Sequence, residues 1–237
     1  MTPELALAAL ESHIIDGKAA DMLAYHKAQR PYLGVSNPDI DAEVKAWRAE
    51  MSVEERVSLS NALWQTDIHE ARVAAAKLLA QARLRPDDDA WALICSWVPA
   101  FDAWAIADHV CGAGSKRLIA DPSRLDDVEE WTKSDHMWSR RAALVMTLPW
   151  TKMNHPKPAD VEIRERVLGW AAGYVDDRDW FIQKAIGWWL RDLSKHDAQR
   201  TIAFVDMYGD RMKPFARKEA LRLLKKSGQL DDNSGGT

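Results

Sequence analysis

Cysteine is scarce in this chain: 237 residues hold two, Cys95 and Cys111. Two thiols far from any Cys/His cluster exclude a disulfide framework and a zinc-finger spacing, and they fit a reducing compartment. Both are expected to be buried and inert. Long apolar runs are missing too. No stretch approaches the roughly 20 residues that a membrane-spanning helix needs. The start, Met1-Thr2-Pro3-Glu4, lacks the basic residues and apolar segment of a secretory leader. The expectation is a cytoplasmic chain that makes no contact with a membrane. Gly and Pro are modest at 11 and 10, and charged residues make up 29%. That balance excludes collagen-like, low-complexity and disordered classes. Common catalytic signatures are also absent: there is no GxxxxGK[ST], no GxSxG and no HExxH. The seven His show no i, i+4 pairing, so neither a metal nor another cofactor is expected. Each His reads as a solvated or capping group.

What is present is helical periodicity. It predicts helices over 4–14, 18–30, a segment opened by Ser36-Asn37-Pro38, 52–64, 67–84, 88–98, 102–117, 123–132, 135–148, 159–174, 177–195, 197–207 and 213–227. Asn37 is expected to cap the third helix, with Pro at its first position. Ser52-Val53-Glu54-Glu55 has the pattern of a capping box. No segment reads as a strand. The Gly/Ser/Asp-rich end, 227–237, is expected to be a disordered tail.

A weak repeat runs through these helices. Arg72-Val73-Ala74-Ala75-Ala76-Lys77-Leu78-Leu79 resembles the segments that start at Arg141, Lys184 and Lys218. The steps are 69, 43 and 34 residues, the first being about two periods of a two-helix repeat. A helix pair cannot bury its apolar stripe alone, so stacked pairs are expected. The fold class read from this is all-α: a helical-repeat superhelix, or α-solenoid, forming a single domain over 1–226. The basic lead residues would then line one strip of surface.

Charge is unevenly placed. The net charge is −4, but 133–226 carries 19 Lys/Arg against 12 Asp/Glu. Local field, not total charge, governs association with an anion. The basic half is therefore a candidate phosphate-facing surface, although solvated helix faces would also account for it. Twelve Trp stand against four Phe and four Tyr. A single core rarely needs so many, so some are expected to be exposed for stacking.

Three segments could carry chemistry. In Phe101-Asp102-Ala103-Trp104-Ala105-Ile106-Ala107-Asp108-His109, Trp104 and Asp108 share a helix face. An indole beside a carboxylate favours cations; the plainer alternative is a core Trp with a surface Asp one turn on. In Met137-Trp138-Ser139-Arg140-Arg141, Arg141 offers a guanidinium fork for phosphate, or for a neighbouring carboxylate. In Asp179-Trp180-Phe181-Ile182-Gln183-Lys184-Ala185-Ile186-Gly187-Trp188-Trp189-Leu190-Arg191-Asp192, adjacent indoles point roughly 100° apart. One of them is expected to face a groove, unless both cap a wide apolar face. Gly187 is expected to allow close helix packing.

Together these segments, with Tyr25-His26-Lys27 and Tyr32-Leu33-Gly34-Val35, resemble the AlkD-like DNA alkylation-repair family over about residues 20–226. The most specific piece is Trp180-Phe-Ile-Gln-Lys-Ala-Ile-Gly-Trp188. The resemblance implies HEAT-like repeats in a C-shape around duplex DNA. It implies a monofunctional, metal-free glycosylase that hydrolyses the N-glycosidic bond of cationic alkylpurines such as 3-methyladenine and 7-methylguanine. Carried over by motif, Asp108 is the catalytic carboxylate. Trp104 and Trp188 contact the sugar and backbone of the lesion nucleotide, and Arg141 its phosphate. Lys184, Arg191 and Tyr25 are further DNA contacts. The resemblance also implies that the base is not buried, which fits a sequence with no evident base-reading pocket. A monomer is expected. Ala105 departs from the polar or acidic residue expected after Trp104.

Two other readings fit the same sequence. One is a non-catalytic HEAT-repeat module that binds damaged or branched DNA. The other is a protein scaffold whose aromatic groove accepts a partner helix. DNA binding would weaken by orders of magnitude between about 50 and 200 mM salt if six or more phosphates were contacted.

Overall fold

The computed structural model describes residues 1–228. Most of the expected tail, 229–237, lies outside the described residues. Among those described there is no strand, and the chain divides into two compact units, Met1–Arg124 and Leu125 onward.

The first unit holds α1 (Pro3–Glu11), α2 (Lys18–His26), α3 (Asn37–Glu50), α4 (Val53–Gln65), α5 (His69–Leu79), α6 (Asp88–Trp97) and α7 (Trp104–Ala120). Local chemistry sets their ends. The capping box of α4 is present in full: Ser52 accepts from the Glu55 amide at 3.2 Å, and Glu55 accepts from the Ser52 amide at 2.7 Å. The cap of α3 is Ser36 rather than Asn37, because the extended Ser36 backbone lets its hydroxyl accept from the Asp39 amide. Asn37 is already helical. The second helix stops four residues sooner than periodicity predicts, because Lys27 takes a left-handed conformation with φ 60°.

The centre of this unit is α5. Its run Ala74-Ala75-Ala76, with Val73, Leu78 and Leu79, is buried on every face, the pattern of an internal helix. Small side chains let α3, α4 and α7 pack on it closely. Trp64 and Trp97 stack beside it with ring centres 4.4 Å apart.

The second unit holds α8 (Leu125–Trp131), α9 (Met137–Met146), α10 (Leu148–Thr151), α11 (Pro158–Gly173), α12 (Trp180–Ser194), α13 (Ala198–Tyr208) and α14 (Pro214–Lys226). Here α12 is central, against α9, α10, α13 and α14. Asp179 caps it, accepting from the Phe181 amide at 2.7 Å. Trp189 is fully buried and donates to Thr147 Oγ1 at 3.3 Å. Its neighbour Trp188 is half-buried, as two indoles about 100° apart require. Cys111 is buried as expected, but Cys95 is partly exposed.

Gly187 is where α12 meets α14. A Cβ there would lie 2.8 Å from the Ala216 carbonyl oxygen and 3.2 Å from its Cα. Helix propensity alone would favour Ala by about 1 kcal/mol, but forcing two backbones apart costs about 1–3 kcal/mol. The Gly187→Ala variant is expected to be the less stable protein, with a lower denaturation midpoint in urea. A midpoint equal to or above wild type would show that this helix contact is slack.

Candidate functional site

The site in the first unit starts from a buried carboxylate. Glu70 is completely buried. It accepts from the amides of Leu33, Gly34 and Val35 at 3.0, 2.7 and 3.1 Å. Gly34 is required there: its φ is +87°, and a Cβ would lie 2.9 Å from the Ala19 amide nitrogen of α2. The loop is thus fixed against both α5 and α2.

That loop and the start of α5 build a row of rings. Tyr32 stacks on His69 at 4.8 Å, His69 on His26 at 4.6 Å, and His26 meets Trp104 at 5.3 Å. Tyr25 stands edge-on to Trp104 at 5.7 Å and is 69% exposed. Trp104 is the first residue of α7, and Asp108 follows one turn later, both half-buried. Beside them opens a cavity of about 330 Å³. Val35, Ile40, Val73 and Ala105 line it with apolar atoms. Asn37, His26, His69, Trp104, Asp108 and His109 supply its polar and aromatic parts. Among the sequence-predicted residues, Tyr25, Trp104 and Asp108 are therefore brought together.

The cavity corrects two expectations. A pocket exists where the sequence showed none, and His26, His69 and His109 line it where solvated or capping groups were expected. Burial pushes the His69 imidazole down to about 3, with His26 and Arg30 acting the same way. Burial also pushes His109 down to about 4, helped by Lys77 and opposed by Asp108. His26 is lowered by burial against the field of Glu70. His26 Nδ1 is buried without a partner. Among the described residues no group of three or more His, Cys, Asp or Glu side chains is placed to hold a metal ion.

One signal could have found His109. It is followed by Val110-Cys111-Gly112-Ala113-Gly114 and lies 37 residues after Arg72 and 32 before Arg141. That is the place of the repeat skipped by the 69-residue step. Glu70 left no such signal.

In the second unit, Lys184, Trp188 and Arg191 share one face of α12. Lys184 is exposed, with its Nζ 4.6 Å from the centre of the Trp180 ring. Trp180 is itself 47% exposed. Trp188 Nε1 donates to Asp192 at 3.2 Å. Arg191 pairs with Asp192 at 2.8 Å and with Glu219. Arg141 is 3% exposed, its guanidinium 5.6 Å from the Trp138 ring centre. The expected strip of basic lead residues is corrected accordingly. Lys184 and Lys218 are exposed, whereas Arg72 lies over Trp64 and pairs with Asp67 at 3.0 Å, and Arg141 is buried. Indole faces cover the two guanidiniums.

Helix pairs stacked as repeats, with a carboxylate and an indole at an imidazole-lined cavity, define a helical-repeat protein with a candidate ligand site. The family model described as "DNA alkylation repair enzyme" matches residues 6–224. The chain belongs to that family. A structure described as a predicted DNA alkylation repair enzyme from Enterococcus faecalis is similar, with a TM-score of 0.77 and 22% identity over 90% of this chain and 98% of that one. The crystal structure of AlkD2 from Streptococcus mutans is similar with a TM-score of 0.64 and 18% identity, over 95% and 98% of the two chains. These likenesses confirm the all-α helical-repeat fold. No curated protein sequence matches the chain. No helix among the described residues is long and apolar enough to cross a membrane.

Two outcomes follow from this geometry. Glu70→Gln replaces an acceptor of three amides with a group that presents one oxygen and an NH₂. Each buried amide left unpaired costs about 1–3 kcal/mol, so a melting temperature several degrees lower is expected; an unchanged value would show that the loop is held elsewhere. The second concerns acid. An unfolded His titrates near pH 6.5, well above the folded values of His69 and His109. The unfolded chain therefore binds more protons on acidification. The stability these two residues contribute is fully present above about pH 6.5 and is lost towards pH 4. Thermal melts should fall between pH 7 and 4.5, and His69→Phe, which keeps the ring stack, should flatten that fall. An equally steep fall in the variant would assign the acid response to other groups.

Proposed function

We propose that the protein is a DNA glycosylase that hydrolyses the N-glycosidic bond of cationic alkylated purines, among them 3-methyladenine and 7-methylguanine, in duplex DNA. The observation that carries this reading is the Trp104–Asp108 pair, one helical turn apart on the lining of a cavity shared with three imidazoles. Membership of a DNA alkylation repair family supports alkylated DNA as the substrate class.

The chemistry asks little of a general acid. An alkylpurine with a positive ring leaves readily: the C1′–N bond breaks, its electron pair passes to the ring, and the ring charge is cancelled. What remains is an oxocarbenium-like sugar. In this reading Asp108 stabilises that cation and orients a water, whose oxygen bonds to C1′ while its proton is lost to the carboxylate or to solvent. A fixed charge aimed at charge that develops in the transition state is often the largest catalytic contribution. The Trp104 face adds cation–π stabilisation. Trp188 contacts the sugar and backbone of the lesion nucleotide. Lys184, Arg191 and Tyr25 bind the DNA backbone, and Arg141 the lesion phosphate. For Arg141 to do so its guanidinium must leave the Trp138 ring, and Arg191 must exchange Glu219 for phosphate. The protein works as a monomer, inside the cell, with no metal.

The test is release of 7-methylguanine from alkylated duplex DNA, wild type beside Asp108→Asn. Release by wild type, and a loss of roughly 100-fold or more in the variant with DNA binding and melting temperature retained, is the expected result. Full activity in the variant would remove Asp108 from the mechanism. DNA binding without release by either protein would favour the non-catalytic module.

A further inference from the structure

Trp104 opens α7, yet nothing local fixes where that helix begins. The residue before it is Ala103, a poor N-cap, and no side chain caps the first turn. That turn also lacks an acidic residue to meet the helix dipole. The indole that the proposed reaction needs is therefore placed by contacts from outside its own helix. Its ring neighbours Tyr25 and His26 stand at the end of α2, at 5.7 and 5.3 Å. They are a weak support by themselves, because α2 buries none of its residues.

One ion pair ties the two segments together. Arg30 lies four residues after His26, and Asp102 two residues before Trp104. Arg30 Nη2 donates to Asp102 Oδ2. The Arg30 side chain is 1% exposed, and its Nε and Nη1 are buried with no hydrogen-bond partner. Asp67 stands 3.5 Å from Arg30 Nη1 and 3.0 Å from Arg72 Nη1. Charges thus alternate along Asp102, Arg30, Asp67 and Arg72. A buried guanidinium requires an anion, so Asp102 is held at a fixed point although its own side chain is exposed. The backbone beside Arg30 is anchored as well: the Pro31 carbonyl accepts from the His69 amide at 3.0 Å.

We propose that Asp102 is a positioning residue, which through Arg30 sets the angle and distance from which the Trp104 indole meets the sugar cation. The assignment rests on the glycosylase reading and adds no group that touches DNA. A misplacement of about 1 Å can cost about 100-fold in rate. DNA affinity is spread over many phosphate contacts and does not register it. Loss of the pair therefore lowers the rate and leaves binding in place.

The test uses the full chain labelled with 5-fluorotryptophan, with Trp104→Phe to identify the Trp104 fluorine resonance. Asp102→Ala removes the carboxylate. Asp102→Asn is isosteric and still accepts from Arg30. Asp67→Ala is the structural control, since it takes the other carboxylate from the same guanidinium without touching the segment that carries Trp104. Asp102→Ala is expected to move the Trp104 resonance and to slow single-turnover release of 7-methylguanine by about tenfold or more, with DNA binding retained. Asp102→Asn should recover most of that rate, and Asp67→Ala should change neither readout even where it lowers the melting temperature. A Trp104 resonance at its wild-type position in Asp102→Ala, or release at the wild-type rate, would overturn the proposal. Equal losses in Asp102→Ala and Asp67→Ala would also overturn it, because the network would then be structural only. If wild type releases no base, the glycosylase reading fails, and the fluorine resonance alone decides whether Asp102 places Trp104: moved in Asp102→Ala, the placement stands; unmoved, it falls.

Discussion

A single carboxylate organises the first unit. Glu70 is fully buried, a position that would be prohibitive for an isolated charge. Three backbone amides of one loop satisfy it, and hydrogen bonds to a charged acceptor are stronger than neutral ones. The consequence is geometric. The loop that supplies the amides carries Tyr32 and Val35, and the residue before Glu70 is His69. Fixing Glu70 therefore fixes the ring row from Tyr32 through His69 and His26 to Trp104. Trp104 opens α7, and Asp108 rides on it one turn later. A site whose members are locked by packing and by outer hydrogen bonds needs little rearrangement when a ligand arrives. The site's two candidate chemical groups are thus held through a chain of contacts that begins at a buried acid.

The helices are largely legible in the sequence, because a helix that buries one face must repeat its apolar residues every three to four positions. The Ala run of α5, the Ser52–Glu55 box and the closeness required at Gly187 are all legible in the same way, since each depends on residues near one another in the chain. Helix ends are less so: the left-handed turn at Lys27 and the shift of the cap to Ser36 depend on backbone angles that side-chain periodicity does not encode. Trp104 and Asp108 are legible as a pair because i, i+4 is a local relation. Glu70 is not, since its partners are backbone amides more than thirty residues away. His69 is masked for the same reason: its neutrality comes from burial among residues distant in the chain.

The surplus of Trp has a use that composition does not suggest. Twelve indoles point to exposed stacking platforms, yet Trp180 is the one exposed Trp among the described residues. Others serve as seats for cations: Arg72 over Trp64, Arg124 over Trp91, Arg141 over Trp138 and Arg166 over Trp170. An Arg that reads as an outward phosphate grip can lay its planar guanidinium on an indole instead, because both faces are weakly hydrated and the ring attracts positive charge. Composition shows that both partners are present; it does not show which of them meet.

The same Trp-x-x-x-Asp spacing occurs on two helices, and its environment decides what it can do. On α12, Trp188 donates its indole N–H to Asp192, which is 5% exposed, bonded to Arg191, and within 4.0 Å of Lys152 and Lys195. That carboxylate is closed off behind its own indole and an arginine, so a sugar cannot reach it. On α7, Asp108 is half-buried and lines a cavity of about 330 Å³. Its neighbour in the chain, His109, is held neutral by burial. Charge that develops in a transition state is stabilised only by groups that can be brought within contact of it. Burial therefore separates two aspartates with the same motif spacing: Asp192 is withdrawn behind Trp188 and Arg191, whereas Asp108 lines a cavity.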